Sequence, residues 1–417
     1  AGGARVAVGR DGRLTSPALE AALVEGLVAS GVDVVRTGLG PTPQLYFAEA
    51  TLAVDAGVQV TGSHNPSGDN GFKLVHAHDS VHGAAIGDLA RMAAAGDWDA
   101  GAGSVVDRDV RDAYVARLVK NYAGGALRVG WDTGNGASGP VIEALVKRLP
   151  GEHHLLHAAV DGRFPNHHPD PTIEANLADL RALVAREGLD LGIAFDGDGD
   201  RIGAVDGQGR VVWGDELLAI LAEPVLARTP GATIIGDVKA SQLLYDRIAA
   251  LGGRPVMGPS GHSLIRTAMK AAGAPLAGEM SGHIFFGDGW YGFDDAQFAA
   301  VRLLGALHRA GRSLAELKDA MPRFVATPEL RFAIDPARKA AVVGEVIARL
   351  DAAGADVNRT DGARVTTADG WWLLRASNTQ DLLTARAEAG DEAGLQRLVA
   401  TLDAQLAASG VSRPSSP

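Results

Sequence analysis

The sequence lacks cysteine, long apolar runs and any excess of positive charge, and each absence excludes a class of protein. Without cysteine there are no disulfides, thiolate nucleophiles or cysteine-ligated metals. No stretch approaches the roughly 20 apolar residues of a membrane-spanning helix, and no signal-peptide pattern opens the chain. A formal net charge of −11 disfavours non-specific binding to nucleic acid or anionic membranes. We therefore expect a cytoplasmic protein without nucleic-acid or membrane partners, monomeric or weakly oligomeric.

What the sequence does contain is a repeated pattern of short apolar runs, turns and amphipathic stretches. The pattern restarts near Arg5, Leu127 and Ala232, which gives three blocks of roughly one hundred residues. Strands that alternate with helices imply crossover connections and largely parallel sheets. The sequence thus predicts three similar mixed α/β-sheet domains, at residues 1–108, 109–210 and 211–322.

From about residue 323 the pattern changes to alternation of apolar and polar residues. Such alternation, with helical patterns between the strands, predicts an antiparallel sheet that carries helices on one face. We therefore expect an α+β C-terminal domain at 323–417, the last of four domains around a central cleft. Its expected strands are 329–334, 363–367, 371–376 and 382–388, and its expected helices are 336–351 and 391–407.

Three carboxylates alternate with glycine in Asp196-Gly197-Asp198-Gly199-Asp200, directly after an apolar run. Such a cluster repels itself unless a cation lies among the carboxylates, and hard oxygen ligands suit Mg²⁺ or Ca²⁺. An EF-hand is excluded, because its loop needs Gly at position six and Glu at position twelve, where this sequence has Arg201 and Gly207. The pattern therefore predicts a divalent-metal site rather than a solvated acidic turn.

Ser63 lies in the loop Thr61-Gly62-Ser63-His64-Asn65-Pro66, which follows the apolar run that ends at Val60. A serine in this place is exposed, and neighbouring backbone N–H groups can stabilise an anion. No G-x-S-x-G elbow is present, which argues against an α/β-hydrolase serine. The spacing alone nevertheless favours an ordinary Ser/Asn turn.

The segment Gly134–Gly139 matches G-x-G-x-x-G between a strand and a helix. On its own this match would indicate a dinucleotide site. The segment opens the second block, however, and no acidic residue clearly ends a following strand. We interpret it as a structural turn.

Two further loops combine residues that suit a phosphorylated sugar. In 278–283, Glu279 and Ser281 offer a carboxylate beside a hydroxyl, which matches the donors and acceptors of vicinal sugar hydroxyls. In 375–379, Arg375 stands with two hydroxyls and an amide, a set suited to phosphate. Taken singly, each loop could equally be a polar turn at the edge of a sheet.

With these segments in this order, the sequence resembles the α-D-phosphohexomutase family over nearly its whole length. The family's phosphoserine, metal, sugar and phosphate loops are matched by 61–66, 196–201, 278–283 and 375–379. Met280 in the sugar loop is similar to the phosphomannomutase/phosphoglucomutase branch, because the phosphoglucosamine mutase branch typically has Gln there. The resemblance implies a reversible phosphoryl transfer between the 1- and 6-positions of mannose or glucose phosphates, through phospho-Ser63 and a hexose 1,6-bisphosphate.

The resemblance also implies a role for each candidate residue. Mg²⁺ would be the cofactor, bound by Asp196, Asp198, Asp200 and the phosphate on Ser63, and hexose 1,6-bisphosphate would act as activator. Sugar hydroxyls and the substrate phosphate would be held by Glu279, Ser281, Arg375, Ser377, Asn378 and Thr379, with Lys239 assisting. Either Lys73 or His283 would handle the hydroxyl proton, Arg201 would offset charge, and Arg10, His64 and His262 would line the site.

Two features leave other interpretations open. Relatives carry a Tyr-Asp-Ile-Arg-Gly-type strand with an active-site arginine, and no counterpart stands before Ala1, so either residues precede Ala1 in the native protein or this contact is lost. Asp-x-Asp after a strand is also similar to haloacid-dehalogenase-type phosphatases, where Asp196 would be the nucleophile. Phosphoglucosamine mutase, a metal-dependent sugar-phosphate phosphatase and a non-catalytic sugar-phosphate-binding protein are therefore the alternatives.

Overall fold

The computed structural model describes residues 4–120, 122–378 and 380–413, and these ranges form four sheets. The first sheet and its helices comprise β1 (Arg5–Arg10), α1 (Ser16–Ala29), β2 (Asp33–Leu39), α2 (Thr42–Thr51), β3 (Ala56–Val60), β4 (Phe72–His76), β5 (Asp79–Ser80), α3 (Ala84–Ala95) and β6 (Val105–Asp107). The strands lie in the order β5-β4-β3-β1-β2-β6. β1, β2, β3 and β6 are parallel, whereas β4 and β5 pair antiparallel.

The second sheet repeats this plan with five strands in the order β11-β10-β9-β7-β8. β7, β8 and β9 are parallel, and β10 returns antiparallel to β9. Its elements are α4 (Arg111–Val119), β7 (Leu127–Asp132), α5 (Gly139–Val146), β8 (Gly151–Leu156), a 3-10 helix (Glu174–Leu177), α6 (Ala178–Glu187), β9 (Leu191–Phe195), β10 (Ile202–Asp206) and β11 (Val211–Val212).

The third sheet has four strands in the order β13-β12-β14-β15, again with the last strand antiparallel. Its elements are α7 (Gly214–Arg228), β12 (Thr233–Asp237), α8 (Gln242–Ala250), β13 (Arg254–Gly258), α9 (His262–Ala272), β14 (Leu276–Gly278), β15 (Ile284–Phe286), α10 (Ala296–Ala310) and α11 (Leu314–Asp319). The three predicted α/β domains are thus confirmed as mixed sheets.

In each of these three sheets one parallel strand turns back into an antiparallel neighbour, and the predicted functional loop is that turn. The Ser63 loop joins β3 to β4, the aspartate loop joins β9 to β10, and the Glu279 loop joins β14 to β15. The repeat therefore places three different chemical groups at equivalent positions of three similar domains.

The fourth sheet is antiparallel throughout, which confirms the predicted α+β domain. The helix predicted at 336–351 begins as a 3-10 turn (Pro336–Arg338), where Asp335 caps the N–H of Ala337, and becomes α-helical at Lys339. The elements are β16 (Val325–Ala326), β17 (Leu330–Ala333), α12 (Lys339–Ala352), β18 (Asp356–Asn358), β19 (Ala363–Thr367), β20 (Gly370–Ala376), β21 (Leu382–Ala389) and α13 (Glu392–Ala407).

The buried apolar residues of the fourth domain form a cluster distinct from the large cluster that the other three domains share. One buried cluster includes Tyr46 of the first domain and runs through the second and third domains to Leu314. The fourth domain has its own cluster, from Phe332 to Leu406. A small contact of Trp371 and Leu373 with Val238 joins the two bodies. No helix in the described part of the chain is long and apolar enough to cross a bilayer.

Candidate active site

The backbone of the Ser63 loop is held by hydrogen bonds from Arg13, which lies between β1 and α1. Its guanidinium donates to the carbonyl oxygens of Ser63 and Asn65, both at 2.7 Å, and to that of Asp69 at 2.9 Å. The Arg13 side chain is fully buried and pairs with Asp11 at 3.3 Å. Asp11 in turn accepts from the Thr61 hydroxyl at 2.8 Å. The loop backbone is therefore fixed before any ligand binds.

Ser63 itself is aimed at the aspartate loop of the second domain. Its Oγ donates to Asp196 Oδ2 at 2.8 Å. Its backbone has a φ of +49°, a conformation uncommon for residues other than glycine. A Cβ at Gly197 would lie 2.4 Å from the Ser63 carbonyl oxygen, so glycine is required for the two loops to approach this closely. The two loops thus meet through their backbones as well as through the hydroxyl.

The three aspartates predicted to bind metal converge after β9. Asp196, Asp198 and Asp200 each place a carboxylate oxygen within 4.8 Å of the others, and all three are fully buried. Asp196 Oδ1 accepts from the backbone N–H groups of Asp200 and Arg201 at 3.0 and 3.1 Å. These bonds curl the loop so that the carboxylates point to one place.

Lys73 of β4 reaches across from the first domain and contacts two of these carboxylates. Its Nζ donates to Asp198 Oδ2 at 2.8 Å and also contacts Asp200. Burial opposes a charge on Lys73, but the two aspartates outweigh it and raise its pKa well above the ordinary value. Burial and the neighbouring carboxylates raise the pKa of Asp196 and of Asp200. One ammonium therefore balances only part of the charge of the cluster.

The donor set fits a divalent cation. Among the described residues, Asp198 Oδ1 and Asp200 Oδ1 are buried without a hydrogen-bond partner. Buried carboxylate oxygens of this kind are costly unless a cation or a donor meets them. Three carboxylates with a nearby serine oxygen form an all-oxygen set, which is the set that Mg²⁺ prefers.

Arg201 links this cluster to the sugar loop of the third domain. Its Nε donates to His283 Nε2 at 3.0 Å, and the two residues form an isolated β-bridge. His283 Nδ1 lies 2.8 Å from Asp294 Oδ2 and 3.6 Å from Asp200 Oδ1. Burial opposes a charge on His283, but Asp200 and Asp294 outweigh it and raise its pKa. Lys73 and His283, the two candidates for proton transfer, therefore both contact Asp200.

The other two predicted histidines lie beside the same cluster. His64 Nδ1 is 3.3 Å from Ser63 Oγ, and burial together with Arg201 lowers the pKa of His64 to about 3. The His262 ring centroid is 5.3 Å from that of His283, and burial lowers the pKa of His262 to about 4. Both side chains are thus neutral near pH 7.

Glu279 and Ser281 lie in the hairpin between β14 and β15, next to His283. Glu279 is almost completely buried, and its carboxylate accepts from the backbone N–H of Gly261 and from the Ser281 hydroxyl at 3.5 Å. Its Oε2 is 4.0 Å from His283 Nε2. The sugar loop is therefore in direct contact with the residues that surround the aspartates.

The phosphate loop of the fourth domain meets the third domain near Ser260. Arg375 Nε donates to Asp361 Oδ2 at 2.8 Å, and the same oxygen accepts from the Ser260 N–H at 3.0 Å. Asn378 donates to the Ser260 carbonyl oxygen at 3.3 Å. Ser377 donates its N–H to the Leu382 carbonyl oxygen at 3.0 Å. Thr379, the last residue predicted in this loop, lies outside the described residues.

Two predicted residues make their contacts elsewhere. Arg10 pairs with Glu20 of α1 at 2.9 Å. Lys239 pairs with Glu329 of the fourth domain at 3.5 Å. Their roles toward substrate remain predictions from the resemblance.

Several residues that hold the predicted side chains in place were not predicted from the sequence. Thr42, at the start of α2, donates both its hydroxyl and its N–H to Asp198. Asp361 forms an ion pair with Arg375, and Lys339 donates to the Ser377 carbonyl oxygen at 3.2 Å. The stretch Gly9–Arg13 did carry a signal, because a charged Arg-Asp-x-Arg sequence directly follows an apolar strand.

The Gly134–Gly139 segment is the structural turn that the sequence predicts. A Cβ at Gly136 would lie 2.7 Å from the Gly197 carbonyl oxygen, and one at Gly139 would lie 1.9 Å from that of Ala158. The Ala137 N–H donates to the Gly197 carbonyl oxygen at 2.9 Å. These glycines let the turn pack against the back of the aspartate loop.

Comparison with known proteins identifies the family to which the chain is similar. Models of the four domains of phosphoglucomutase/phosphomannomutase match in order, and together they span most of the chain. The α/β/α domain I matches residues 1–87, domain II matches 112–209, domain III matches 213–324, and the C-terminal domain matches 329–405.

Individual relatives cover the same range. A phosphomannomutase/phosphoglucomutase from Pseudomonas putida is 44% identical over 403 residues, which are 96% of this chain and 87% of that protein. A phosphoglucomutase from Neisseria gonorrhoeae is 41% identical over 400 residues, 95% of this chain and 87% of that protein. The crystal structure of a phosphoglucomutase/phosphomannomutase family protein from Burkholderia thailandensis superposes with a TM-score of 0.93 at 41% identity, and covers 99% of this chain and 92% of that one.

Proposed function

The chain belongs to the phosphoglucomutase/phosphomannomutase family, and we propose that it transfers a phosphoryl group reversibly between the 1- and 6-positions of mannose and glucose phosphates. The observation that supports this most directly is the bond from Ser63 Oγ to Asp196 Oδ2, at 2.8 Å inside the aspartate cluster. Arg201 and His283 connect that cluster to the sugar loop. A phosphoryl carrier and a sugar-reading loop are thus joined by direct contacts.

In the proposed reaction Ser63 carries a phosphoryl group in the resting enzyme. A hydroxyl of the bound hexose phosphate attacks the phosphorus, so that a new P–O bond forms as the bond to Ser63 Oγ breaks. Ser63 Oγ leaves as a hydroxyl, and the proton of the sugar hydroxyl passes to His283 or Lys73. Because Asp198 and Asp200 hold Lys73 as an ammonium, Lys73 can take that proton only as it gives its own to the departing Ser63 Oγ. The intermediate, a hexose 1,6-bisphosphate, then reorients, and Ser63 Oγ attacks its other phosphorus. The bond from that phosphorus to the sugar oxygen breaks as the phosphoserine forms, and the sugar oxygen takes up the proton that the Ser63 hydroxyl gives up.

Phosphoryl transfer depends chiefly on in-line positioning and on charge stabilisation. Asp196, Asp198 and Asp200 would hold Mg²⁺, which when bound offsets the roughly −2 charge of the phosphate on Ser63. Arg201, on the same loop, contributes a fixed positive charge. Arg13 keeps the Ser63 backbone in place, because it holds several carbonyl oxygens of that loop at once.

The substrate would span from the sugar loop to the phosphate loop. Glu279 and Ser281 would bind two hydroxyls, while Arg375, Ser377, Asn378 and Thr379 would hold the phosphate that is not being transferred. Because the fourth domain has its own core, we expect it to close over the substrate as these contacts form. Cytoplasmic location and a monomeric or weakly oligomeric state remain predictions from the sequence.

A phosphatase that uses Asp196 as nucleophile fits the geometry less well. Asp196 is fully buried, its Oδ1 accepts two backbone N–H groups, and its Oδ2 accepts from Ser63. A nucleophilic carboxylate needs an oxygen free to attack in line. Ser63, in contrast, is only partly buried.

The test combines intact mass with a coupled assay. We expect the purified protein to carry one phosphate on Ser63 and to turn over glucose 1-phosphate and mannose 1-phosphate in the presence of Mg²⁺ and bisphosphate activator. Ser63→Ala should lose the phosphate and at least about a thousandfold in kcat, whereas Ser67→Ala, in the same loop, should keep both. Full activity in Ser63→Ala, or phosphate-mimic labelling of Asp196, would contradict the proposal. Preferred turnover of glucosamine 1-phosphate would move the chain to the phosphoglucosamine branch.

A further inference from the structure

A second group of metal-ligating side chains lies in the second domain, apart from the aspartate loop. Asp132 ends β7, His157 follows β8, and His167 lies in the loop before Pro169. Each offers one ligand atom, and these atoms lie within 4.8 Å of one another. The Asp132 side chain is fully buried, whereas those of His157 and His167 are 15% and 14% exposed. An ion from solvent can therefore reach a buried carboxylate here.

The surroundings of His167 call for a positive charge. Its Nδ1 lies 3.0 Å from the His168 carbonyl oxygen, and its Nε2 lies 2.9 Å from Asp132 Oδ2. Both partners are acceptors, but a neutral imidazole has one N–H and one lone pair, so it can donate to only one of them. A cation between Nε2 and the carboxylate removes this conflict.

His157 is oriented in the way typical of metal-binding histidines. Its Nε2 lies 3.1 Å from the Asp179 carboxylate, and ligating histidines commonly donate their second ring N–H to a carboxylate or carbonyl. The residue has a φ of +50°, and its carbonyl oxygen is held by Thr133 and Asn135. This unusual backbone keeps the ring edge-to-face with His167, with centroids 5.3 Å apart.

We propose that Asp132, His157 and His167 bind a transition-metal ion of the Zn²⁺ class, with water completing the coordination. Two imidazoles and one carboxylate are a common donor set for Zn²⁺ and suit Mg²⁺ poorly. An ion with tetrahedral ligands at about 2.0–2.2 Å holds them about 3.3–3.6 Å apart, so His167 Nε2 and Asp132 Oδ2, now at 2.9 Å, would separate as it binds. The site is separate from the one that the proposed reaction uses.

The position of this site gives the ion a structural role. Pro169, at the end of the same loop, packs against Gly134 and Gly197, where added Cβ atoms would lie 3.0 and 3.3 Å from it. Phe164, at its start, lies under the Arg13 guanidinium at 5.2 Å. The ion would therefore fasten a loop that supports both the aspartate loop and the Ser63 loop.

The experiment uses full-length protein stripped of metal and then saturated with Mg²⁺, so that the aspartate cluster is occupied. Calorimetric titration with Zn²⁺ should show one site, and Co²⁺ should give the intense visible bands of a four-coordinate nitrogen-ligated ion. Both signals should weaken at least tenfold in His157→Asn, which tolerates the positive φ, and in His167→Gln. They should persist in Asp196→Asn and in His154→Gln, a nearby histidine outside the cluster.

Two results would overturn the inference. Either Zn²⁺ fails to bind the Mg²⁺-saturated protein, or its affinity is unchanged in His157→Asn while that variant unfolds at the same temperature as the parent. In both cases a proton, not a metal, balances Asp132, and the cluster is only an imidazolium–carboxylate pair.

Discussion

The two ends of the candidate active site neutralise buried charge in different ways. At the metal end, the ammonium of Lys73 pairs with two of three buried aspartates, and two carboxylate oxygens of the triad have no donor among the described residues. At the phosphate end, Arg375 is matched one to one by Asp361 at 2.8 Å. The first end has an excess of negative charge, and the second is balanced.

On the proposed function, this difference distinguishes a metal ion that stays bound from a substrate phosphate that exchanges. A surplus of buried carboxylate favours a bound cation or a proton, and on the proposed function we expect the metal end to keep its ion through the catalytic cycle. On the proposed function, the Arg375–Asp361 pair must open before a phosphate can bind Arg375, because the substrate has to displace Asp361. The fourth domain has its own core, and we expect it to move relative to the other three as this exchange takes place.

The largest expected effect is at the metal end. Asp198→Asn removes one charge of the triad and a partner of Thr42 and Lys73. We expect kcat to fall at least about a hundredfold and the Mg²⁺ concentration for half-maximal activity to rise at least about tenfold. A coupled assay across Mg²⁺ concentrations measures both. Asp190 is an exposed aspartate just before β9, the strand that precedes the triad, and Asp190→Asn should change neither kcat nor the half-maximal Mg²⁺ concentration.

At the other end, removal of Arg375 should act on substrate binding and leave the metal dependence alone. Arg375→Gln combined with Asp361→Asn avoids leaving a buried carboxylate unpaired, and should raise KM for glucose 1-phosphate by about 10- to 100-fold. The half-maximal Mg²⁺ concentration should stay within about twofold. Arg397→Ala, an exposed arginine of the same domain, is the control. An equal change in Mg²⁺ dependence would show that the two ends are not separable.

The sequence could reveal the metal end because its charge pattern is local. Asp196, Asp198 and Asp200 share one loop, so their repulsion is evident without a fold. The same holds for the alternation of strands and helices, which depends on neighbouring residues. The return strand Ile202–Asp206 is apolar at all but its last position, and nothing in its pattern tells whether it runs parallel or antiparallel.

The positioning residues could not be predicted because their partners are distant in sequence. Arg13 binds carbonyl oxygens 50 and more positions away, and those groups carry no sequence signal. Asp361 is one of many loop aspartates until the hairpin brings it to Arg375. The ion pair between Arg10 and Glu20 likewise forms only when the fold brings α1 against the end of β1.

A smaller effect should follow from freeing Arg375 without removing it. Asp361→Asn keeps an oxygen that can accept from the Ser260 N–H but no longer holds the guanidinium as an ion pair. We expect KM for sugar phosphates to fall by about two- to tenfold and inhibition by inorganic phosphate to strengthen similarly. Asp381→Asn, which neutralises an exposed carboxylate beside Lys339, should leave both constants unchanged. A rise in KM would mean that Asp361 orients Arg375 and does not compete for it.

A buried carboxylate outside both ends extends the comparison. Asp295, which caps α10, accepts from the Tyr114 hydroxyl at 2.8 Å and from the Phe298 N–H at 2.8 Å. Both contacts are neutral donors. Burial raises the pKa of Asp295 from 3.8 to about 7. The triad is proposed to bind a metal ion and Asp361 pairs with an arginine, whereas we expect Asp295 to keep a proton.

The smallest effect on activity, and a distinct one on stability, is therefore expected at Asp295. Because its folded-state pKa lies above the unfolded value, the folded protein keeps a proton between about pH 4 and pH 7 that the unfolded chain releases. Its stabilising contribution is complete below about pH 4 and is lost as the pH rises to about 7, by up to about 4 kcal/mol. Asp295→Asn keeps an acceptor for the Phe298 N–H and should flatten this part of the stability profile, measured by urea unfolding between pH 5 and 8, while kcat changes less than about twofold. The exposed Asp99→Asn should retain the parent's slope. If Asp295→Asn retains it too, then Asp295 is ionised in the fold, and burial at this position is balanced by its neutral donors alone.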